Sequence, residues 1–321
     1  MLFTGQDIVA PAYQHGFAVA SYNISDYGML TAVLAASEAA NSPVIILIHP
    51  DDWEFTGDHF LASVRSLAAA ASIPVAIQLD HGATVEQAAF ALRHDFTSVM
   101  IDGSLLPFEE NVAITREVVE MAHRIGVSVE GEIGTIGPRD PRSLEEMQDF
   151  VFADPAQAKF FVDTTGVDLL AVAVGTAHGV YPAGFVPDLK LDLISQINDA
   201  VGIPLVLHGG SGAVDEQVSQ AVKRGIAKVN ISADMKTAYY GKLREVLADP
   251  AQREPLDICP PALAVVQDVV RHTAEVPGPA GGAERARHGA AGLGARGHGG
   301  ALRVAHEHRL DGGAVVQPPQ P

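Results

Sequence analysis

Short β-branched runs alternate with amphipathic helical stretches eight times between Phe17 and Ile231, and no Gly-x-Gly-x-x-Gly turn follows the first run. The runs are also apolar nearly throughout, as strands covered on both faces must be. Together these observations predict an α/β chain closed into a (βα)8 barrel, a TIM barrel, rather than an open doubly wound sheet.

The strands are expected over residues 17–23, 43–48, 73–80, 97–102, 127–132, 168–174, 203–208 and 226–231. Helical patterns lie between them, over 24–40, 84–94, 112–125 and 214–224 among others. The second of these has Thr84 as its N-cap and Gln87 three residues later, the pattern of a capping box. Two segments break the rhythm. The polar stretch from Gly134 to Asp154 is far longer than the usual loop of about 2–6 residues and reads as a lid over an active site. From Thr273 the composition changes: 26 of the last 49 residues are Gly, Ala or Pro, with no sustained period. The expected division is therefore a barrel domain over 1–272 and a disordered or poorly packed tail over 273–321. A shift of reading frame near His272 would produce such a junction.

At 321 residues and 47% hydrophobic the chain can bury a large core, and it has no apolar stretch near the roughly 20 residues of a membrane span. The start, Met1 to Asp7, lacks the features of a signal peptide, and Cys259 is the one cysteine; both fit a cytoplasmic protein. A net charge of −18 argues against nucleic-acid partners, which require a basic surface.

Three histidines follow three of the expected strands: His81 in Leu79-Asp80-His81, His178 in Gly175-Thr176-Ala177-His178-Gly179, and His208 in Leu207-His208-Gly209. In a parallel barrel they converge on the C-terminal rim, where three imidazoles can hold a divalent metal and leave a coordination position open. A lone histidine is usually an ordinary hydrogen-bonding residue; three at strand exits reverse that balance. Asp80 beside them can orient a ligand or move a proton. Asp102 and Glu132 end strands four and five at the same rim, as supports for a histidine or as a second metal position. Two small-residue turns, His208-Gly209-Gly210-Ser211-Gly212 and Asn230-Ile231-Ser232-Ala233-Asp234, follow strands seven and eight, the recurrent phosphate site of such barrels. They imply a substrate whose phosphate lies a few atoms from the metal.

These motifs, with Ser21-Tyr22-Asn23-Ile24, Met100-Ile101-Asp102-Gly103-Ser104 and Glu130-Gly131-Glu132-Ile133-Gly134, resemble the class II, metal-dependent ketose-bisphosphate aldolases, in particular the tagatose and fructose bisphosphate branch, over residues 1 to about 272. The resemblance implies a lyase that reversibly cleaves a ketose phosphate to dihydroxyacetone phosphate and an aldehyde. It implies one Zn²⁺ per subunit on His81, His178 and His208, a monovalent cation as a further ion, and Asp80 as proton donor and acceptor at the C4 oxygen. It places Asn23, Gly179, Gly209, Gly210, Ser211 and the Asn230, Ile231, Ser232, Ala233 turn on the substrate. It also implies a homo-oligomer, a dimer or tetramer, with a small sugar phosphate as its partner. In the family a loop glutamate after strand five removes a proton in the condensation direction; an ungapped reading puts Asp140 there.

The sequence departs from the family after strand two, where Leu47-Ile48-His49-Pro50-Asp51-Asp52-Trp53 offers carboxylates in place of a phosphate-binding hydroxyl, and at Ala233, where threonine is usual. The aldehyde fragment need not therefore carry a phosphate. Three rival readings have sequence-level answers. A Schiff-base mechanism needs a desolvated lysine, and Lys228 lies near the N-terminal end of its strand. A metal-dependent hydrolase would carry a His-x-His pair after strand one, where Ser21-Tyr22-Asn23 stands. A catalytically silent sugar-phosphate-binding barrel, or a partner subunit of an aldolase, has no need of Asp80.

Overall fold

A computed structural model describes residues 2–136, 151–181 and 185–276. Eight parallel strands close into a barrel in sequential order: β1 Val19–Asn23, β2 Val44–Ile48, β3 Val75–Gly82, β4 Ser98–Ile101, β5 Ser128–Ile133, β6 Leu169–Val172, β7 Leu205–Leu207 and β8 Ile226–Ile231. Strand β8 pairs with β1, Ser21 opposite Asn230, which completes the ring. All eight expected strands are present, with ends moved by at most two residues and those of β8 unmoved.

The described helices are α1 Gly5–His15, α2 Tyr27–Ala39, α3 Pro50–Thr56, α4 Asp58–Ala70, α5 Val85–Arg93, α6 Phe108–His123, α7 Pro155–Thr165, α8 Leu191–Val201, α9 Asp215–Val222, α10 Ala233–Val246 and α11 Pro255–Glu275. Thr84 does cap α5, accepting from the Gln87 amide, but the Gln87 side chain accepts from Ala83 N, one residue before the cap. Helix α11 runs past the change of composition at Thr273 to Glu275; the remainder of the expected tail lies outside the described residues. No described helix is long and apolar enough to cross a membrane.

Strand alternation divides the core in two. Val44, Ile46 and Ile48 face outward into the layer between strands and helices. Ile45 and Leu47 face into the barrel, with Val19, Ala76, Met100, Leu169 and Val206. Ile8, Val9 and Ala12 of α1 join this inner cluster, so α1 stoppers one end of the barrel with apolar side chains. A reciprocal pair starts that helix: the Asp7 amide donates to Thr4 Oγ1, and the Thr4 amide to Asp7 Oδ2. The sequence reading had no helix there.

Toward the other end the interior is polar. Ser21 and Asn23, Gln78 and Asp80, Glu130 and Glu132, and Lys228 and Asn230 come in pairs two residues apart, and all are buried. An apolar floor beneath a polar upper layer positions every group of the site.

Candidate active site

Strand β3 slips register against β4 between Leu79 and Gly82, and His81 has φ +49°. A regular strand sends consecutive side chains to opposite faces. The slip and the left-handed residue instead keep Asp80 and His81 close together, His81 Nε2 lying 4.0 Å from Asp80 Oδ1.

His81, His178 and His208 present ring nitrogens that all lie within 4.8 Å of one another. The His81 ring stands edge-on to the other two, with centroids 5.0 Å from His178 and 4.7 Å from His208. Each of two rings is held from behind. Asp102 Oδ2 is 2.7 Å from His81 Nδ1, leaving Nε2 toward the centre. Glu130 Oε1 is 2.8 Å from His208 Nε2, leaving Nδ1 toward the centre, 3.0 Å from His81 Nε2. A carboxylate behind each ring fixes its tautomer and frees the inward lone pair, as metal-bound histidines require.

The charge balance fits a cation. Burial disfavours the charged His81 ring, but Asp80, Asp102 and Glu132 outweigh burial and push it up to about 10. Burial, Asp102 and the other carboxylates push Glu132 well above the usual range. Its Oε2 is buried without a hydrogen-bond partner, 3.9 Å from His81 Nδ1 and from His208 Nδ1. An orphaned carboxylate oxygen beside clustered imidazoles is what a divalent ion would satisfy. His81, Asp102 and Glu132 form a second set of three donors within the same distance limit.

Asp80 is buried, and its two oxygens accept from two amides: Asn23 Nδ2 at 2.7 Å and Asn230 Nδ2 at 3.3 Å. Burial would raise its pKa; His81, His208, the Asn23 amide and Lys228 together hold it below the usual carboxylate range. Asp80 is therefore ionised and fixed in orientation.

The turns after β7 and β8 meet through Ser211, whose Oγ accepts from the amides of Ser232 and Asp234, while Gly210 N donates to Asn230 O. Gly209 has φ +61°, and a Cβ there would stand 2.4 Å from the Ala177 carbonyl. The loops of His178 and His208 thus pack backbone to backbone at a position that only glycine fits. Gly209→Ala is expected to cost about 1–3 kcal/mol in denaturant unfolding and to weaken zinc binding in titration, because both ligand loops must shift. Asp140 lies outside the described residues.

Glu130, Lys228, Gln78 and Ser21 were given no role by the sequence reading. Lys228 is fully buried, with Nζ 2.9 Å from Glu130 Oε2 and 2.8 Å from Asn230 Oδ1. Its side chain enters the polar layer directly, which corrects the placement of Lys228 away from the working end. Gln78 Nε2 donates to Glu130 Oε2, and Ser21 Oγ to Asn230 Oδ1. Tyr181 closes the His178 loop, its hydroxyl lying 2.8 Å from Ala177 N and 3.0 Å from Ala177 O.

A closed parallel barrel with three imidazoles converging beside a fixed carboxylate defines a metal-dependent barrel enzyme. The family model for class-II fructose-bisphosphate aldolase matches residues 4–282. A fructose-bisphosphate aldolase of Thermus caldophilus is 35% identical, over 88% of this chain and 99% of the relative. The crystal structure of the YdjI aldolase from Escherichia coli K12 superposes with a TM-score of 0.78 at 33% identity, over 88% of this chain and 100% of that one. A putative fructose-1,6-biphosphate aldolase from Coccidioides immitis does so at 0.75 and 27% identity, over 88% and 98%. The chain belongs to the class II fructose-bisphosphate aldolase family, and its activity is metal-dependent retro-aldol cleavage of a carbon–carbon bond. Its residues fit a single divalent cofactor such as Zn²⁺, and family membership implies a small sugar-phosphate substrate.

Proposed function

We propose that the chain cleaves a ketose phosphate between C3 and C4, with His81, His178 and His208 holding Zn²⁺ and Asp80 exchanging the proton of the C4 hydroxyl. The observation that carries this reading is the convergence of three ring nitrogens within 4.8 Å beside the buried Asp80 carboxylate. A zinc ion bound there supplies Lewis acidity to the substrate carbonyl, where negative charge collects as the bond breaks. Asp80 accepts the C4 proton during cleavage and returns it during condensation, held in place by the Asn23 and Asn230 amides. Asp102 keeps the His81 ring in register, and Glu132 stands beside the same centre as a further donor.

Dihydroxyacetone phosphate is the proposed product that stays on the metal side, its phosphate held by Gly179, Gly209, Gly210, Ser211 and the Asn230 to Ala233 turn. Support comes from the joining of these turns through Ser211 at the start of α10. Asp140, from the polar stretch after β5, is proposed as the base for condensation on family resemblance alone.

For the aldehyde fragment we propose a polar but unphosphorylated end. Beyond β2, His49 caps α3 through Nδ1, and its ring centroid is 6.4 Å from that of His81. Asp52 is buried beside it and accepts from Ser25 Oγ, while Asp51 is exposed. A buried carboxylate favours hydroxyl donors and repels phosphate. In a coupled assay for dihydroxyacetone phosphate release, substrates with a hydroxylated distal end are expected to outperform their distal-phosphate counterparts in kcat/KM. A preference for the bisphosphate would overturn this assignment, and absence of release from every ketose phosphate would overturn the proposed reaction. A homodimer or homotetramer in a reducing cytoplasm is the proposed setting, supported by family resemblance and the single cysteine.

A further inference from the structure

The polar layer contains one cation that the proposed chemistry does not use. Lys228 is fully buried, and an ammonium group has donors only. The β7–β8 register slips between Leu205 opposite Ile226 and Val206 opposite Lys228. That slip sets Lys228 two residues before Asn230 on the polar side of the barrel.

Each contact of its Nζ settles an ambiguity in a neighbouring group. The first is with Glu130 Oε2, at 2.9 Å, where Gln78 Nε2 also donates. Glu130 is thereby held as an ionised acceptor with Oε1 turned to His208 Nε2. Against that carboxylate His208 carries its proton on Nε2, and its Nδ1 lone pair faces His81 Nε2. The second is with Asn230 Oδ1, at 2.8 Å, shared with Ser21 Oγ at 2.6 Å. Because a lysine cannot accept, the amide atom facing it must be oxygen. Nδ2 is then committed to the other side, 3.3 Å from Asp80 Oδ1 and also 3.3 Å from His208 Nε2, whose proton already points to Glu130 Oε1. A flipped amide would set two donors against each other at Lys228 and leave an oxygen facing the Asp80 carboxylate.

We infer that Lys228 is a positioning residue that sets both the tautomer of the metal ligand His208, through Glu130, and the orientation of the proton-transferring Asp80, through Asn230. One buried charge couples the metal side of the site to its acid–base side. This inference rests on the proposed roles of His208 and Asp80, and its metal arm is measurable whether or not any ketose phosphate is turned over.

The two arms are separable by substitution. Lys228→Met keeps the length of the stem and removes the charge. Glu130→Gln loosens the metal arm alone, and Ser21→Ala the Asn230 arm alone. Zinc affinity is read by chelator competition, geometry by the visible absorption of the Co²⁺ form, and chemistry by kcat at saturating metal. Lys228→Met is expected to weaken zinc about 10–100-fold, to shift the Co²⁺ bands and to lower kcat at saturating metal. Glu130→Gln is expected to reproduce the first two effects with a smaller change in kcat, and Ser21→Ala to lower kcat with zinc affinity unchanged. In the double variant Lys228→Met/Glu130→Gln the zinc losses should not add, since both act on one ring.

Wild-type zinc affinity and an unchanged Co²⁺ spectrum in folded Lys228→Met overturn the inference, as do fully additive losses. Should Lys228→Met alone fail to fold because Glu130 is left unpaired, the double variant removes both charges and becomes the test. Wild-type zinc affinity there has the same meaning. A wild-type protein without aldolase activity would sink the proposed reaction and leave the zinc and cobalt results standing as the test of the metal arm.

Discussion

Asp80→Asn is expected to bind zinc as the wild type does and to lose about 10²–10⁴-fold in kcat, with KM little changed. Asparagine has nearly the shape of aspartate and occupies the same buried position, but its amide cannot accept the C4 proton. The Asp80 carboxylate is held by one amide on each oxygen, from Asn23 and Asn230, so an asparagine there sets an NH2 against one of those donors. Some loss of stability should accompany the substitution, of about 1–3 kcal/mol for a mismatched buried donor. Zinc content and steady-state kinetics measured together separate the two effects. A variant that keeps more than a tenth of the wild-type kcat would mean that another group carries the proton.

The second large effect is expected from His208→Ala. Removing this imidazole takes one of three convergent nitrogens from the centre and strips Glu130 Oε1 of its partner at 2.8 Å. Protein-bound zinc should fall well below one equivalent at concentrations that saturate the wild type. Turnover should drop about 10³-fold or more, since a Lewis acid contributes several kcal/mol and each 1.36 kcal/mol is a factor of ten. Added zinc should restore little of it. Full activity in this variant would remove the three-histidine centre from the reaction.

The barrel and the three histidines were readable from the sequence because both depend on strand ends. Apolar runs of four to eight residues followed by helical patterns define the topology, and residues just beyond such runs fall on the C-terminal rim. The proximity of Asp80 and His81 needed the register slip and positive φ in β3, which no propensity announces. Glu130 and Lys228 were missed for a different reason. They lie inside strands that are apolar nearly throughout, and the available signal was the repeated polar pair at spacing two: Ser21/Asn23, Gln78/Asp80, Glu130/Glu132 and Lys228/Asn230. Four such pairs on strands of one barrel mark a polar interior face. Lys228 was set aside on the height of its Cα alone, although its four-carbon stem carries Nζ to within 2.9 Å of Glu130. Helix α1 went unread because it precedes the first strand and so lies outside the strand–helix alternation, with Pro11 inside it; its signal was Thr4 with Asp7 at the capping positions.

Anomalous scattering at the zinc edge from crystals of the zinc-loaded protein tests the central claim most directly. One ion is expected at about 2.0–2.1 Å from nitrogens of His81, His178 and His208, on His81 Nε2 and His208 Nδ1, with Asp102 and Glu130 on the opposite ring nitrogens. Zinc bound elsewhere, or at this place with any of the three imidazoles turned away, would contradict the account.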